Sequence, residues 1–283
     1  MNSGAYVPKS KEKRKRRRFY LMPIYVFVVF YLTAAGASWF FLESPFFKIR
    51  EIKVLGNSAV SETEIMDLLK SGVPDRGFWE LVLGFNNFLA WPAAVSSSSL
   101  VLLPEVESLE IDKNYRDRSL TVKVGERKPS DIWCLHAALA NADTARRDMD
   151  KNLYESTCWW FDDNGVVFKK AILSEGGLIG VIHDYSQGKL GLNLKILPDE
   201  FVPNVISIIK VLEESELSVK EIVLKDLSLR ELEVSTYDGP KIYFSLTFPA
   251  DNFLQVINDF RSKTGLQNLK YLDFRVENKL YYK

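Results

Sequence analysis

The spacing of apolar and polar residues changes period several times along the 283-residue chain. Residues 19–42 are apolar without a single charge, and as a helix rising ~1.5 Å per residue they span roughly 36 Å, enough to cross a ~30 Å hydrocarbon layer. Tyr20, Tyr25 and Trp39 lie towards the ends of this run, where amphipathic rings prefer the headgroup level, and Pro23 falls where a first-turn proline is tolerated. Residues 46–55 then alternate as a half-buried strand that ends at Gly56-Asn57. Ser61 and Glu64 form a capping box, Val60 and Ile65 occupy the staple positions, and Leu68 and Leu69 continue a helical stripe up to Gly72. Residues 73–95 carry Phe78, Trp79, Phe85, Phe88 and Trp91 among Gly, Asn and Pro, which predicts an irregular or short-helical insertion with exposed aromatics. The serines at 96–99 read as caps of a short segment that Pro104 ends, in preference to a nucleophile. Residues 106–114 and 119–124 alternate with period two around a polar turn at 115–118, a hairpin. The order strand, helix, helix, strand, strand predicts a small α+β module with both helices on one sheet face and open strand edges.

Beyond Pro129 the pattern becomes strand-rich. Asp162-Asp163-Asn164-Gly165 between apolar runs is the clearest hairpin signal in the chain. Phe201, Val205, Ile206, Ile209 and Leu212 recur at helical spacing over 201–214. Strands follow at 221–225, 231–236 and 241–246, the last two joined at Asp238-Gly239. Asp251 is placed to cap a second helix through Phe253, Ile257 and Phe260, closed by Gly265, and strands at 270–275 and 280–282 finish the pattern.

Composition (47% hydrophobic, 26% charged) excludes a wholly disordered, collagen-like or disulfide-dense chain. The net charge of zero hides an asymmetry. Lys9, Lys11, Lys13, Arg14, Lys15, Arg16, Arg17 and Arg18, opposed by Glu12 alone, give residues 1–18 a charge of +7 and leave −7 for the rest. Eight cations against an apolar span are what the positive-inside rule places in a cytoplasmic flank, so everything from Glu43 onward is expected outside. Nucleic-acid binding is the weaker reading of that cluster, which near a membrane also attracts anionic lipid at about 1 kcal/mol per residue. A buried core helix is seldom apolar on every face. A cleaved signal peptide is the nearer rival, because Ala35-Gly36-Ala37 resembles a cleavage site, but Trp39-Phe40-Phe41-Leu42 carries the apolar run past it and favours a retained anchor.

Outside the membrane, Cys134 and Cys158 form a candidate disulfide between two neighbouring antiparallel strands joined by a long polar excursion over 136–157; two buried free thiols are the alternative. No CxxC or HxxxH spacing supports a metal site. His136, and His183 beside Asp184, read as structural hydrogen-bonding groups, and Asp162-Asp163 as a turn former. Gly176-Gly177 lacks the setting of a phosphate loop. With no P-loop, G-x-S-x-G, G-x-G-x-x-G or H-E-x-x-H motif, the chain is expected to be no enzyme and to need no cofactor.

Four groups of residues resemble a known family. The run FFKIREIKVLGNSAVSETEI, the Pro104-x-Val106 step into the hairpin, and Val124-Gly125-Glu126-Arg127-Lys128-Pro129 followed by Trp133 are similar to the POTRA module of the bacterial cell-division family FtsQ/DivIB. Tyr271-Leu272-Asp273-Phe274-Arg275 with Asn278-Lys279-Leu280-Tyr281-Tyr282 behind it resembles the family's terminal strands. Tyr115-Arg116 replaces the usual Tyr-Pro step, the 73–95 insertion is long, and 136–156 matches poorly. The resemblance implies an α+β chain divided into a basic cytoplasmic tail (1–18), a transmembrane helix (19–42), a POTRA-like β-α-α-β-β domain (43–128) and a strand-rich β domain with two helices (129–283). It also implies a non-enzymatic scaffold in the cell (inner) membrane, enriched at the division septum. Its expected partners are FtsB- and FtsL-like division proteins and membrane lipid, with no nucleic acid and no small-molecule substrate. Tyr271, Phe274, Arg275, Leu280, Tyr281 and Tyr282 are the expected partner-binding residues, through strand addition to the terminal edge. A POTRA-type module for polypeptide transport or outer-membrane assembly, and an anchored extracytoplasmic hydrolase, are the alternatives.

Overall fold

The structure, a computed structural model, describes residues 9–70, 82–138, 154–172, 180–186 and 188–283. It is mixed α+β and falls into two compact units, Met1–Ser99 with Ser108–Val124, and Leu100–Glu107 with Gly125–Lys283. Phe78, Trp79, Gly72 and Gly176-Gly177 lie outside the described residues.

In the first unit, helix α1 runs over Lys9–Glu43. Its stretch Met22–Glu43 has a mean hydropathy of 1.8, is entirely unburied, and is long and apolar enough to span a membrane. Pro23 therefore sits inside a continuous helix and not in its first turn, because the basic residues before it are helical too; a lone missing N–H is tolerated in such helices. Strand β1 is confined to Glu51–Leu55. The expected earlier start fails because the backbone before it is claimed elsewhere: Ile49 N–H donates to Asn86 O (2.7 Å) and Lys48 bridges Asn87. Helix α2, Glu62–Lys70, opens with the reciprocal capping box: Ser61 N–H donates to Glu64 Oε2 (3.0 Å) and Glu64 N–H to Ser61 Oγ (3.3 Å). Val60, Ile65, Leu68 and Leu69 are all buried. Phe88 and Trp91, expected to be exposed, are buried as well, because a single 3₁₀ turn at Phe88–Ala90 folds this segment back on the unit. Helix α3 is one turn, Ser97–Leu100. Strands β2 (Val106–Asn114) and β3 (Ser119–Glu126) complete a three-stranded sheet in the order β1-β3-β2, with β1 parallel to β3. Gly56 is obligatory: its φ is +88°, and a Cβ there would lie 2.5 Å from Val124 O.

The second unit is built on a nine-stranded sheet. Its strands are β4 (Asp131–Ala138), β5 (Tyr154–Phe161), β6 (Val167–Lys170), β7 (Val181–Asp184), β8 (Val219–Leu224), β9 (Glu231–Thr236), β10 (Lys241–Ser245), β11 (Tyr271–Phe274) and β12 (Tyr281–Tyr282), in the spatial order β12-β11-β10-β9-β8-β7-β4-β5-β6. Helices α4 (Val202–Glu214) and α5 (Phe253–Lys263) bury one face, sharing a single core with Trp133, Phe161, Ile182, Leu224, Val234 and Phe244. Asn204 Nδ2 donates to Leu246 O, and Ala250 N–H to Ser207 Oγ, tying α4 to the loop after β10. Asp251 does not cap α5; Asn252 holds the cap position and makes no side-chain bond there, so packing of Phe253 and Ile257 fixes the start of this helix.

On the opposite face, Cys134 stands directly across from Cys158 in the antiparallel β4–β5 ladder, and the two are joined by a disulfide among Ile132, Ala171, Trp160 and Val181. The bond closes a loop of 24 residues' separation, which on the chain-entropy account contributes roughly 3–4 kcal/mol. Replacing both cysteines by Ala is expected to lower stability by that amount in urea unfolding of the full chain. An unchanged midpoint, with or without reductant, would mean that the bond does not constrain the fold.

Candidate functional site

The terminal edge of the nine-stranded sheet is set up by β11. It pairs in parallel with β10 (Leu272 with Ile242, Phe274 with Phe244) and antiparallel with β12 (Leu272 with Tyr282, Asp273 with Tyr281). Strand alternation then divides the expected contact residues between two faces. Phe274 points into the core, fully buried, and stacks on Phe244 (5.6 Å) and Phe253 (4.3 Å). It cannot anchor a partner, and that expectation is corrected. Leu280 is half-buried and packs on the same core. Tyr271 is half-buried. Tyr281 and Tyr282 are 50% and 58% exposed, although the Tyr282 ring also meets Phe260 of α5 edge-on at 4.9 Å.

Arg275 is held in place by three groups. Its guanidinium bonds both carboxylate oxygens of Asp273, reaches Glu231 Oε2 (2.7 Å), and lies 4.9 Å from the Tyr243 ring centre. Its hydrogen bonds hold the Asp273 carboxyl below the usual carboxylate range, and the same carboxylates raise the pKa of Arg275. The β11–β12 turn closes through Lys279 N–H to Val276 O (3.1 Å), with Asn278 in the left-handed region at φ 57°, a conformation Asn tolerates well.

Backbone bonding leaves one side of β12 open. Lys283 uses both its N–H (to Tyr271 O) and its carbonyl (from Lys270 N–H) on the β11 side. By ladder alternation the N–H and C=O of Tyr282 face away from the sheet. Among the described residues no strand pairs with β12 on that side. The other sheet edge is guarded: Val167 exchanges backbone bonds with Leu194 and Asn193, Val166 bridges Lys195, and Lys169 pairs with Glu105. The arrangement at β12 can therefore accept one extended segment through backbone bonds beside two exposed phenols.

The remaining sequence candidates fall elsewhere. His136 belongs to β4 and not to a polar excursion, most of which (139–153) lies outside the described residues. Its Nε2 lies 2.8 Å from Nδ1 of His183, and its ring stacks on Tyr185 at 4.4 Å. Asp184, next to His183 in β7, points to the opposite face and is fully buried, accepting from Trp133 Nε1 (3.1 Å) and from Ser186 N–H and Oγ. The two neighbours thus form no dyad. Asp162 accepts from the N–H groups of Asn164 and Val166 and pairs with Arg127, while Asp163 accepts from Ser130 Oγ, so each acid serves the turn. Among the described residues no group of three or more His, Cys, Asp or Glu is placed to hold a metal ion. Comparison of the chain with protein-family models and with curated proteins finds no match.

Sequence reasoning missed Asp131, at the start of β4. It is 4% exposed, accepts from Ile132 N–H (3.0 Å), and is pushed up to about 7, first by burial and then by the nearby charge of Glu213. The signal lay in period two: Asp131 shares the face of Trp133.

Two outcomes follow from these placements. Phe274→Ala is expected to cost about 3–5 kcal/mol in denaturant unfolding, whereas Tyr281→Ala stays within ~0.5 kcal/mol; equal effects would contradict the division of faces. The folded state binds the Asp131 proton more tightly than the unfolded chain does. That contribution is fully present below about pH 4, declines as pH rises, and is gone above about pH 7. Asp131→Asn should flatten this window and raise stability at pH 8 by a few kcal/mol on the order of 1.4 per pKa unit, with little change at pH 4.

Proposed function

We propose that this protein is a single-pass membrane scaffold of the bacterial divisome that resembles FtsQ/DivIB, with its N-terminus cytoplasmic, its bulk extracytoplasmic, and its concentration highest at the septum. The observation that carries the reading is the open backbone of β12 beside the exposed Tyr281 and Tyr282, at the end of a sheet whose other edge is guarded. Support comes also from the apolar stretch of α1 and from the order of β1, α2, α3, β2 and β3, which is that of a POTRA-like module. Parallel pairing of β1 with β3 brings the first and last strands of that module together.

In this reading an extended segment of an FtsB- or FtsL-like division protein adds to β12, gaining affinity from backbone hydrogen bonds and selectivity from the two tyrosines. Arg275 organises the surface beside that edge through Asp273 and Glu231 and is not itself a free cation. No step of chemistry is required of the protein; it recruits others.

A fluorescent fusion is expected to collect at midcell, and depletion to give filaments; uniform membrane signal with normal division would overturn the division assignment. Tyr282→Pro removes the outward N–H and, of the ring's packing, loses the edge contact with Phe260. Co-purification of the FtsB-like partner with the full-length variant should fall to background while its unfolding midpoint is retained. Undiminished capture by the folded variant would place the contact elsewhere.

A further inference from the structure

The end of α1 is tied to the first unit by hydrogen bonds. Phe41 O is one of the last carbonyls of the helix, which have no partner within it. Asn87, 1% exposed, donates to it from Nδ2 (2.9 Å), while its Oδ1 accepts from Leu89 N–H (2.9 Å) and starts the turn Phe88–Ala90. Phe88 N–H donates to Phe47 O (2.9 Å) and Ile49 N–H to Asn86 O (2.7 Å). The segment around residue 87 is therefore fixed alongside the last turns of α1.

That fixing builds an apolar cleft of about 530 Å³, lined by Ser38, Phe41, Leu42, Val82, Leu83 and Leu89. This is the size of a small-molecule site (~300–1,000 Å³), yet five of the six described residues that line it are apolar. Val82 and Leu89 remain 43% and 39% exposed, next to Phe41 at 45% and Leu42 at 36%. The cleft thus opens onto the same continuous surface as the unburied apolar stretch of α1. Counting ~1.5 Å per residue from Met22, Ser38 to Leu42 fall within the last ~6 Å of a ~30 Å hydrocarbon layer. Phe40, Phe41, Phe46 and Phe47 form a chain of ring contacts at 5.2–5.8 Å at this level, and Trp39 is 68% exposed. Aromatic rings of this kind suit the membrane interface.

We infer that Val82, Leu83 and Leu89 dip into the outer acyl–headgroup boundary and that the cleft between them and α1 takes a phospholipid acyl chain. The occupant is lipid because one wall of the cleft is the lipid-facing side of the anchor itself. The inference rests on α1 spanning the membrane, and it goes beyond partner capture by adding a second, lipid-held contact that fixes how the first unit stands on the bilayer.

The test uses the full-length protein in phosphatidylcholine vesicles, labelled with an environment-sensitive fluorophore at Leu89→Cys or, in a companion, Val82→Cys. Reference labels go at Tyr31→Cys inside the span and at Leu229→Cys on the exposed surface of the second unit. Nitroxide groups high on the acyl chain are expected to quench the residue-89 and residue-82 labels severalfold more than aqueous iodide does, with the reverse at residue 229. Iodide access at 82 and 89 with lipid quenching at 31 would overturn the inference while leaving the span intact. Iodide access at residue 31 as well would overturn both. Protection of 82 and 89 from both quenchers would mean that a second copy of the chain covers the cleft, and would also overturn it.

Discussion

Among the described residues, the nine-stranded sheet buries its apolar face against two helices, and the second unit is arranged around their limited span. Eight strand spacings of ~4.8 Å make the sheet roughly 38 Å wide, whereas a 13-residue and an 11-residue helix are about 20 and 16 Å long. The core that the helices build runs from Val167 of β6 to Phe274 of β11, and each end of the sheet is held by further means as well. At the β5–β6 end the means are covalent and polar: the disulfide on the far face, the Asp162 turn held by Arg127, and residues 193–196 bonded against the edge. At the β12 end there is little beyond Leu280 on the core and the edge contact of Tyr282 with Phe260. A two-residue strand so lightly held keeps its outer backbone unpaired, and this is why the candidate site sits there.

The far face of the sheet sets the character of that site. Glu233 lies between Lys225 and Lys241; burial would raise its pKa, but the two lysines together hold it lowered. Arg275 is balanced by Asp273 and Glu231. Ionic groups on that face of β9 to β11 are thus satisfied within the chain, while Lys270, Lys279 and Lys283 beside the open edge are exposed. In the proposed reading, selectivity depends on side-chain fit at alternate positions and on the charge that an incoming segment presents to these lysines.

What was legible in the sequence was what short-range chemistry dictates. Ser61 and Glu64 announced their helix because a capping box is complete within four residues, and Asp162-Asp163-Asn164-Gly165 announced its hairpin because Gly165 must adopt φ +72° next to Val202 and Ile196. The pairing of β4 with β5 could be read from aromatic strands on both sides of a polar stretch. Sheet order was not legible. That β11 runs parallel to β10, with α5 between them in sequence, is decided by a core assembled from distant segments, and it is this neighbour that buries Phe274 while leaving Tyr281 outside. The same long-range competition shortened β1 and drew His136 into a strand beside His183. Asp131 was missed because an acid at the start of a strand ordinarily stays in water, and only its two-residue offset from Trp133 marks it as carried inward.

Asn87 connects the end of the apolar helix to the turn at Phe88–Ala90. A helix end in an apolar setting cannot leave its carbonyls to water that is scarce there, so a donor must come from the protein. Asn87 supplies it to Phe41 while its own oxygen caps the turn that holds Phe88 in the core. One amide therefore satisfies a carbonyl at the end of the apolar helix and starts the turn next to it. A hydrophobic side chain at 87 would orphan both groups at once, at a cost of about 1–3 kcal/mol for each buried polar atom left unpaired. The first unit is accordingly not a bead on a swivel: the hydrogen bonds that end the apolar helix are the same ones that begin the folded module.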